Sequence, residues 1–331
     1  MSYGRVKTPR IYVDWVNWLL LNGKITTSDI TSTGGSFASG SNVHELFDLD
    51  PSNIQTISVN GTSTDTTIII NTNITDDSRQ GSNYIAILGH NLKEADANIV
   101  ITTDDTDGSF QNPATLTEVC NATVSNSNTI TPALNGWSLV EFTTTSQNQK
   151  IKLSITDVGG NNFNSDVKIG SIMVGKYYDF PFNPDLKFNR QDVFNNVIST
   201  SQGGRRYSNF LNAPRKSWVL DQWQLATATS PSNIYDAGKK VLTFNFSFMS
   251  DDVVYPENDG GSALSNSTDF YSAVLNKSYG SHLPVIVHLD NTQTFTTAQT
   301  PNNIMLARIF NTKINQTAVN HYSVSLTLEE I

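Results

Sequence analysis

The chain has 331 residues, 37% of them hydrophobic and only 15% charged, with 20 glycines and 11 prolines, and Ser, Thr, Asn and Gln fill more than a third of it. Uncharged hydrogen-bonding side chains favour turns, caps and exposed strand faces over long charged helices, which excludes a helical bundle or coiled coil and points to a β-rich chain of about two domains. The formal net charge of -9 excludes a surface that grips nucleic acid or anionic membrane as a whole, and a single cysteine, Cys120, excludes an intrachain disulfide and a cysteine-based zinc site.

Residues 1–39 read as an apolar N-terminal segment followed by a Gly/Ser/Thr linker. Tyr12, Val13, Trp15, Val16, Trp18, Leu19, Leu20 and Leu21 are interrupted by Asp14 and Asn17 and stopped by Asn22-Gly23, which suits either a short helix or a buried strand. The run is too short to span a bilayer and lacks a cleavage site, so neither membrane insertion nor a signal peptide is expected. Leaving such side chains in water costs roughly 1.5–3 kcal/mol each. Trp15, Trp18, Leu19, Leu20 and Leu21 are therefore expected to dock onto the body or onto a neighbouring subunit, and residues 26–42 to form a flexible linker or extended arm.

Residues 40–180 carry a succession of candidate strands at 43–49, 56–59, 67–70, 84–88, 98–102, 138–143, 151–155 and 167–174. Ile151, Leu153 and Ile155 alternate with Lys152 and Ser154, as a half-buried strand requires. Many short antiparallel strands imply a sandwich of the jelly-roll type, with loops at 104–108 and 121–128. Residues 181–331 then form a second β-rich domain with one or two short helices. Leu242, Phe244, Phe246 and Phe248 alternate with polar residues, placing three phenylalanines on one face. Ser267 or Thr268 is positioned to cap a helix through Phe270, Tyr271, Val274 and Leu275, ending near Gly280. Strands are expected at 283–289, 304–310 and 322–328.

Charge is segregated: residues 40–180 hold six bases and sixteen acids, residues 181–230 six bases and three acids. Such blocks either meet across a subunit interface or stand as solvated surface. The basic segment 187–218 includes Arg205, Arg206, Tyr207, Arg215, Lys216 and Trp218; Arg, Tyr and Trp are the residue types that carry interface energy, so a protein partner is favoured over nucleic acid.

No nucleophile elbow, phosphate loop or helical zinc-binding histidine pair is present, and His44, His90, His282, His288 and His321 are scattered, so no enzyme activity and no cofactor are expected. Asp104, Asp105 and Asp107 before Gly108 offer oxygen ligands to calcium, but EF-hand spacing fails and a solvated turn is the plainer reading. Trp137, after Asn135-Gly136, is the candidate glycan contact in the sandwich, with buried core as its other reading.

Three stretches resemble structural proteins of tailed bacteriophages. Tyr84 to Val100, with Leu88-Gly89-His90-Asn91-Leu92, is similar to a segment of the galactose-binding-like β-sandwiches of tail and fibre proteins. The stretch from Gly203-Gly204-Arg205-Arg206-Tyr207 to Trp218 and Trp223-Gln224-Leu225 is the second, and the closing Leu326-Thr327-Leu328-Glu329-Glu330-Ile331 is the third. The resemblance implies a non-enzymatic virion protein of the tail, baseplate or fibre-attachment position, assembled in the bacterial host cytoplasm. Its implied partners are other virion tail proteins and further copies of itself as a homo-oligomer, with a host surface glycan as a further partner. The alternatives are a receptor- or glycan-binding module of the tail and, third, a polysaccharide-degrading enzyme.

Overall fold

The computed structural model describes residues 7–72, 83–104, 110, 112–143, 150–186, 188–193, 196–210, 239–256, 268–292, 294 and 303–331. In chain order the N-terminal strand β1 (Arg10–Asp14) runs straight into helix α1 (Trp15–Leu21), and β2 (Ile30–Gly34), β3 (Ser36–Phe37), β4 (Gln55–Ser58) and β5 (Thr66–Asn71) follow. Next come β6 (Asn83–His90), β7 (Ala97–Asp104), β8 (Asn112–Pro113), β9 (Thr115–Cys120), β10 (Thr123–Ser125) and β11 (Thr129–Thr131). The long strands β12 (Gly136–Thr143) and β13 (Lys150–Asp157) lead to β14 (Val167–Ile169) and β15 (Ser171–Asp179). The last part holds β16 (Asn189–Val193), β17 (Asn196–Thr200), β18 (Arg206–Phe210), β19 (Lys239–Ser250), helix α2 (Asp251–Val254), a π-helical turn (Tyr271–Asn276), β20 (Val285–His288), β21 (Ile304–Ala318) and β22 (His321–Glu330).

Ten of these strands form one antiparallel sheet in the order β16-β19-β22-β21-β20-β1-β15-β6-β12-β9. A second sheet, β10-β11-β7-β13-β5-β2, lies across its β15-β6-β12-β9 part, and a small sheet β14-β4-β3 closes one end. Strand alternation explains the layering: Ile85, Ile87, Val140, Phe142, Ile172 and Val174 from the first sheet meet Ile68, Ile70, Ile99, Ile101, Ile151, Leu153 and Ile155 from the second in one core. The molecule is thus mainly antiparallel β, with a β-sandwich in its first half. The same face of the long sheet continues into a second core of Ile11, Val13, Leu242, Phe244, Phe246, Val285, Val287, Val324, Leu326 and Leu328, covered by Phe180, Phe270 and Val274. Phe180 stacks on Phe246 at 4.2 Å between ring centroids. The opposite face buries Tyr12, Tyr84, Ala86, Leu88, Trp137, Leu139, Met173, Ile286 and Leu306.

Several expectations need correction. The N-terminal segment is both of the alternatives, a strand and then a helix, because Asp14 accepts the Asn17 backbone N–H at 3.1 Å and so starts α1. Of the two docking places expected for it, it takes the body: β1 pairs with β15 on one side and β20 on the other, joining the two halves in a single sheet across the boundary expected at 180/181. Residues 26–42 are not a free linker, since β2 pairs with β5 from Ile30 to Gly34 and β3 with β4. The strand expected at 43–49 is a 3-10 turn over His44–Phe47, because the Asn42 side chain accepts the His44 and Glu45 N–H groups at 2.9 and 3.1 Å and winds the chain. The strand at 167–174 is divided at Gly170, where a side chain would meet the Pro51 carbonyl oxygen at 2.0 Å. Thr123–Ser125 within the expected loop 121–128 is a strand pairing with β11. A bulge after Phe246, with Phe248 at φ 67, turns Phe248 outward and puts Met249 in the core instead. The helix near 270 is capped by Asp269, whose carboxylate accepts the Ser272 N–H at 2.8 Å; Thr268 is not the cap and Ser267 lies outside the described residues.

Candidate functional site

The expected site residues are dispersed rather than gathered. Leu19 is 1% exposed and belongs to the sandwich core, so it has no surface to offer a neighbour. Trp18 and Leu20 pack against the same core, and Leu21 stands out into solvent. The Lys277 ammonium lies 4.0 Å from the Trp18 ring centre and 4.9 Å from that of Trp15, and the Lys176 ammonium lies 5.2 Å from the Trp15 ring centre. These indoles are used inside the chain, which is the cheaper place for them. Trp137 is 5% exposed within the core on the opposite face of the sheet, so it is not a glycan contact. Asp104 is buried and accepts the Phe110 N–H at 3.0 Å, which ties it to its own loop; Asp105 and Asp107 lie outside the described residues. Among the described residues no group of His, Cys, Asp and Glu is arranged to hold a metal ion. Arg205 and Arg206 are exposed at the turn between β17 and β18, Tyr207 lies in β18 opposite Ser199, and Arg215, Lys216 and Trp218 fall outside the described residues.

Two polar groupings, the first partly exposed and the second buried, occupy the places where chemistry would be sought. At the seam, the Arg10 guanidinium donates to both Asp179 carboxylate oxygens at 2.7 Å, and also to Glu141, while lying 3.8 Å from the Tyr177 ring centre. The Tyr12 hydroxyl donates to the same Glu141 at 2.6 Å. Burial works against the Arg10 charge, but its hydrogen bonds to Asp179 and Glu141 outweigh this and hold it protonated. Both carboxylates are thereby engaged by a permanent cation carried on β1. Nearby, Lys7 pairs with the buried Asp290 at 3.2 Å, and burial lowers His288 to about 4, so it is neutral at pH 7.

The second grouping is His90 with Ser138, 2.9 Å apart, which has the composition of a base and nucleophile. Its surroundings assign it another task. Leu92 N–H donates to His90 Nδ1 at 3.3 Å, which leaves Nε2–H to donate to the Ser138 oxygen, and the Ser138 hydroxyl donates to the Asn121 carbonyl at 2.7 Å. Both residues are buried, and burial lowers His90 to about 3, so it neither reaches a substrate nor takes up a second proton near neutral pH. His90 is the last residue of β6, where this network is used for joining strands.

The remaining candidate is a surface groove of about 380 Å³ between the π-helical turn and β21. Tyr279 and Gly280, both at positive φ, close the turn, with the Gly280 N–H donating to the Leu275 carbonyl at 2.9 Å. A bulge in β21 at Ile309/Asn311 turns Phe310 outward to 70% exposure. Tyr271, Leu275, Asn276, Gly280, Ser281 and Phe310 line the groove with Asn311 and Thr312, and no ionisable acid or base other than the phenol is among them. The Thr312 hydroxyl is buried and has no hydrogen-bond partner among the described residues. Exposed rings beside amides and hydroxyls suit a neutral, hydroxyl-rich ligand more than an ion. Sequence reasoning placed Tyr271 and Phe310 in a helix and a strand but had no signal for the groove, because a bulge is not written in the alternation. No protein family matches the chain, and neither does any curated protein or any solved structure.

Proposed function

We propose that the chain is a non-enzymatic structural component of a bacteriophage virion, a tail, baseplate or fibre-attachment subunit that assembles with neighbouring tail proteins and carries a jelly-roll sandwich of galactose-binding-like type. The observation that supports this reading is the continuous sheet: β1 ties the sandwich to the second half, and the strongest polar groupings serve to lock strands together rather than to meet a substrate. Such a body suits the transmission of load between neighbours. Peptide mass spectrometry on density-purified particles from the source that encodes the chain tests it. Stoichiometric copies relative to the other tail proteins are expected, and particles of normal composition that lack the chain would overturn the reading.

The uncharged, ring-bearing groove favours a second reading, a glycan-binding module of the tail, now centred on Tyr271 and Phe310 in place of Trp137. Titration with host surface polysaccharide is its test. Binding that is lost in Phe310→Ala and Tyr271→Ala with the fold intact is expected, and binding unchanged in both variants would remove the groove from consideration.

A further inference from the structure

The long sheet ends on one side at β16, whose five residues, Asn189 to Val193, are all exposed. Among the described residues, β16 makes only its ladder with β19 and the Arg190–Asp192 contact at 3.1 Å. The other end of the sheet differs, since the outer side of β9 is already engaged where the Leu116 N–H donates to the Ser127 carbonyl at 2.8 Å. An unpaired row of N–H and C=O groups is a template for another strand, and charged residues on such an edge commonly serve to repel one. Here the order of charges does the reverse. When Asn-Arg-Gln-Asp-Val is laid antiparallel against itself about Gln191, Arg190 of each copy falls opposite Asp192 of the other, and both charge pairs sit on one face.

We propose that β16 is a homotypic pairing edge, joining two copies of this chain antiparallel about Gln191 into a sheet that runs through both. Opposite charges directly across an antiparallel pair are favourable and like charges are not, so the pattern both attracts the second copy and sets its register. Leu186, fully exposed just before the strand, and the half-exposed Val193 add apolar surface at the ends of the contact. A five-residue strand is about 17 Å long, which makes a small interface and a dimer that dissociates on dilution.

The inference names the self-association implied by the proposed function, and the test separates the two. Sedimentation equilibrium of the full chain from micromolar to several hundred micromolar is expected to show mass rising from one chain towards two. Arg190→Asp and Asp192→Arg each place like charges across the edge and are expected to weaken association at least tenfold. The double variant, and a mixture of the two single variants, restore opposite charges at every crossing and are expected to recover it. Both side chains are exposed, and unchanged circular dichroism confirms that the variants fold. A monomer at every concentration, association indifferent to the single reversals, or no recovery in the double variant and the mixture would each overturn the proposal. Edge pairing in a protein absent from particles would break the virion reading and leave this one standing.

Discussion

The two halves of the long sheet cover the same face in different ways. Around β15, β6 and β12 a second sheet supplies aliphatic side chains, Ile68, Ile99, Ile151 and Leu153 among them. Around β19, β22 and β20 no second sheet is found among the described residues; a six-residue π-helical turn and the stretch before Phe182 do the covering, and rings fill the space. Phe180 meets Phe246 and Phe270, while Phe188 and Tyr255 lie against Phe244 and Tyr322. Layered sheets cover an area with many small contacts, whereas a short turn must use fewer and larger side chains, so the second half depends more on each residue. Both halves hang on β1, which makes the seam the shared point of failure.

The largest effect is expected at Gly175. A Cβ there would sit 1.9 Å from the Val13 carbonyl oxygen and 2.8 Å from the Trp15 nitrogen, both backbone atoms that cannot yield without separating β1 from β15. Gly175→Val is expected to cost more than about 4 kcal/mol and to unfold both halves together, read as one urea transition by fluorescence and far-UV circular dichroism. Phe246→Ala comes next, at about 3–5 kcal/mol in the same urea experiment, because the ring is fully buried and stacked. A second transition appearing in this variant alone would show that the second half unfolds independently and would break the shared-seam argument.

Asp14 provides a smaller, pH-dependent effect. Burial raises its carboxyl from 3.8 to about 6, opposed by hydrogen bonds from Asn17. Because the folded value lies above the unfolded one, the stabilising contribution is fully present below about pH 4 and is lost as the pH rises through about 6. Asp14→Asn keeps a capping acceptor but removes the titration. Its stability relative to the native chain, measured by urea unfolding at pH 4 and pH 7.5, is expected to shift in the variant's favour by on the order of 2–3 kcal/mol between them. Last, Phe310→Ser removes an exposed ring and is expected to change stability by less than about 0.5 kcal/mol, which sharpens the contrast with Phe246 in the same half.

Buried strands were legible because their alternation records which face is covered. Ile151, Leu153 and Ile155 lie in the sandwich core, and Val324, Leu326 and Leu328 in the second, as their spacing requires. Exposed strands were not legible. Asn189–Val193 has no apolar face, and β21 continues through Asn311 to Ala318 because β22 is there to pair with it, not because its side chains demand it. The candidate site was less legible still. Trp137 after Asn-Gly reads equally as a surface platform or as core, and His90 and Ser138, buried together, come from β6 and β12, 48 positions apart in the chain.

By itself the sequence determined a β-rich chain with few charged residues for its length, two apolar cores and no intrachain disulfide, because composition and alternation are local properties that survive without a fold. Only the tertiary structure decided that β1 binds the two halves into one sheet, that bulges turn Phe248 and Phe310 outward, and that β16 is left at an edge. Those outcomes depend on which backbone hydrogen bonds find partners far along the chain, and a strand carries no mark in its own residues of the strand it will meet.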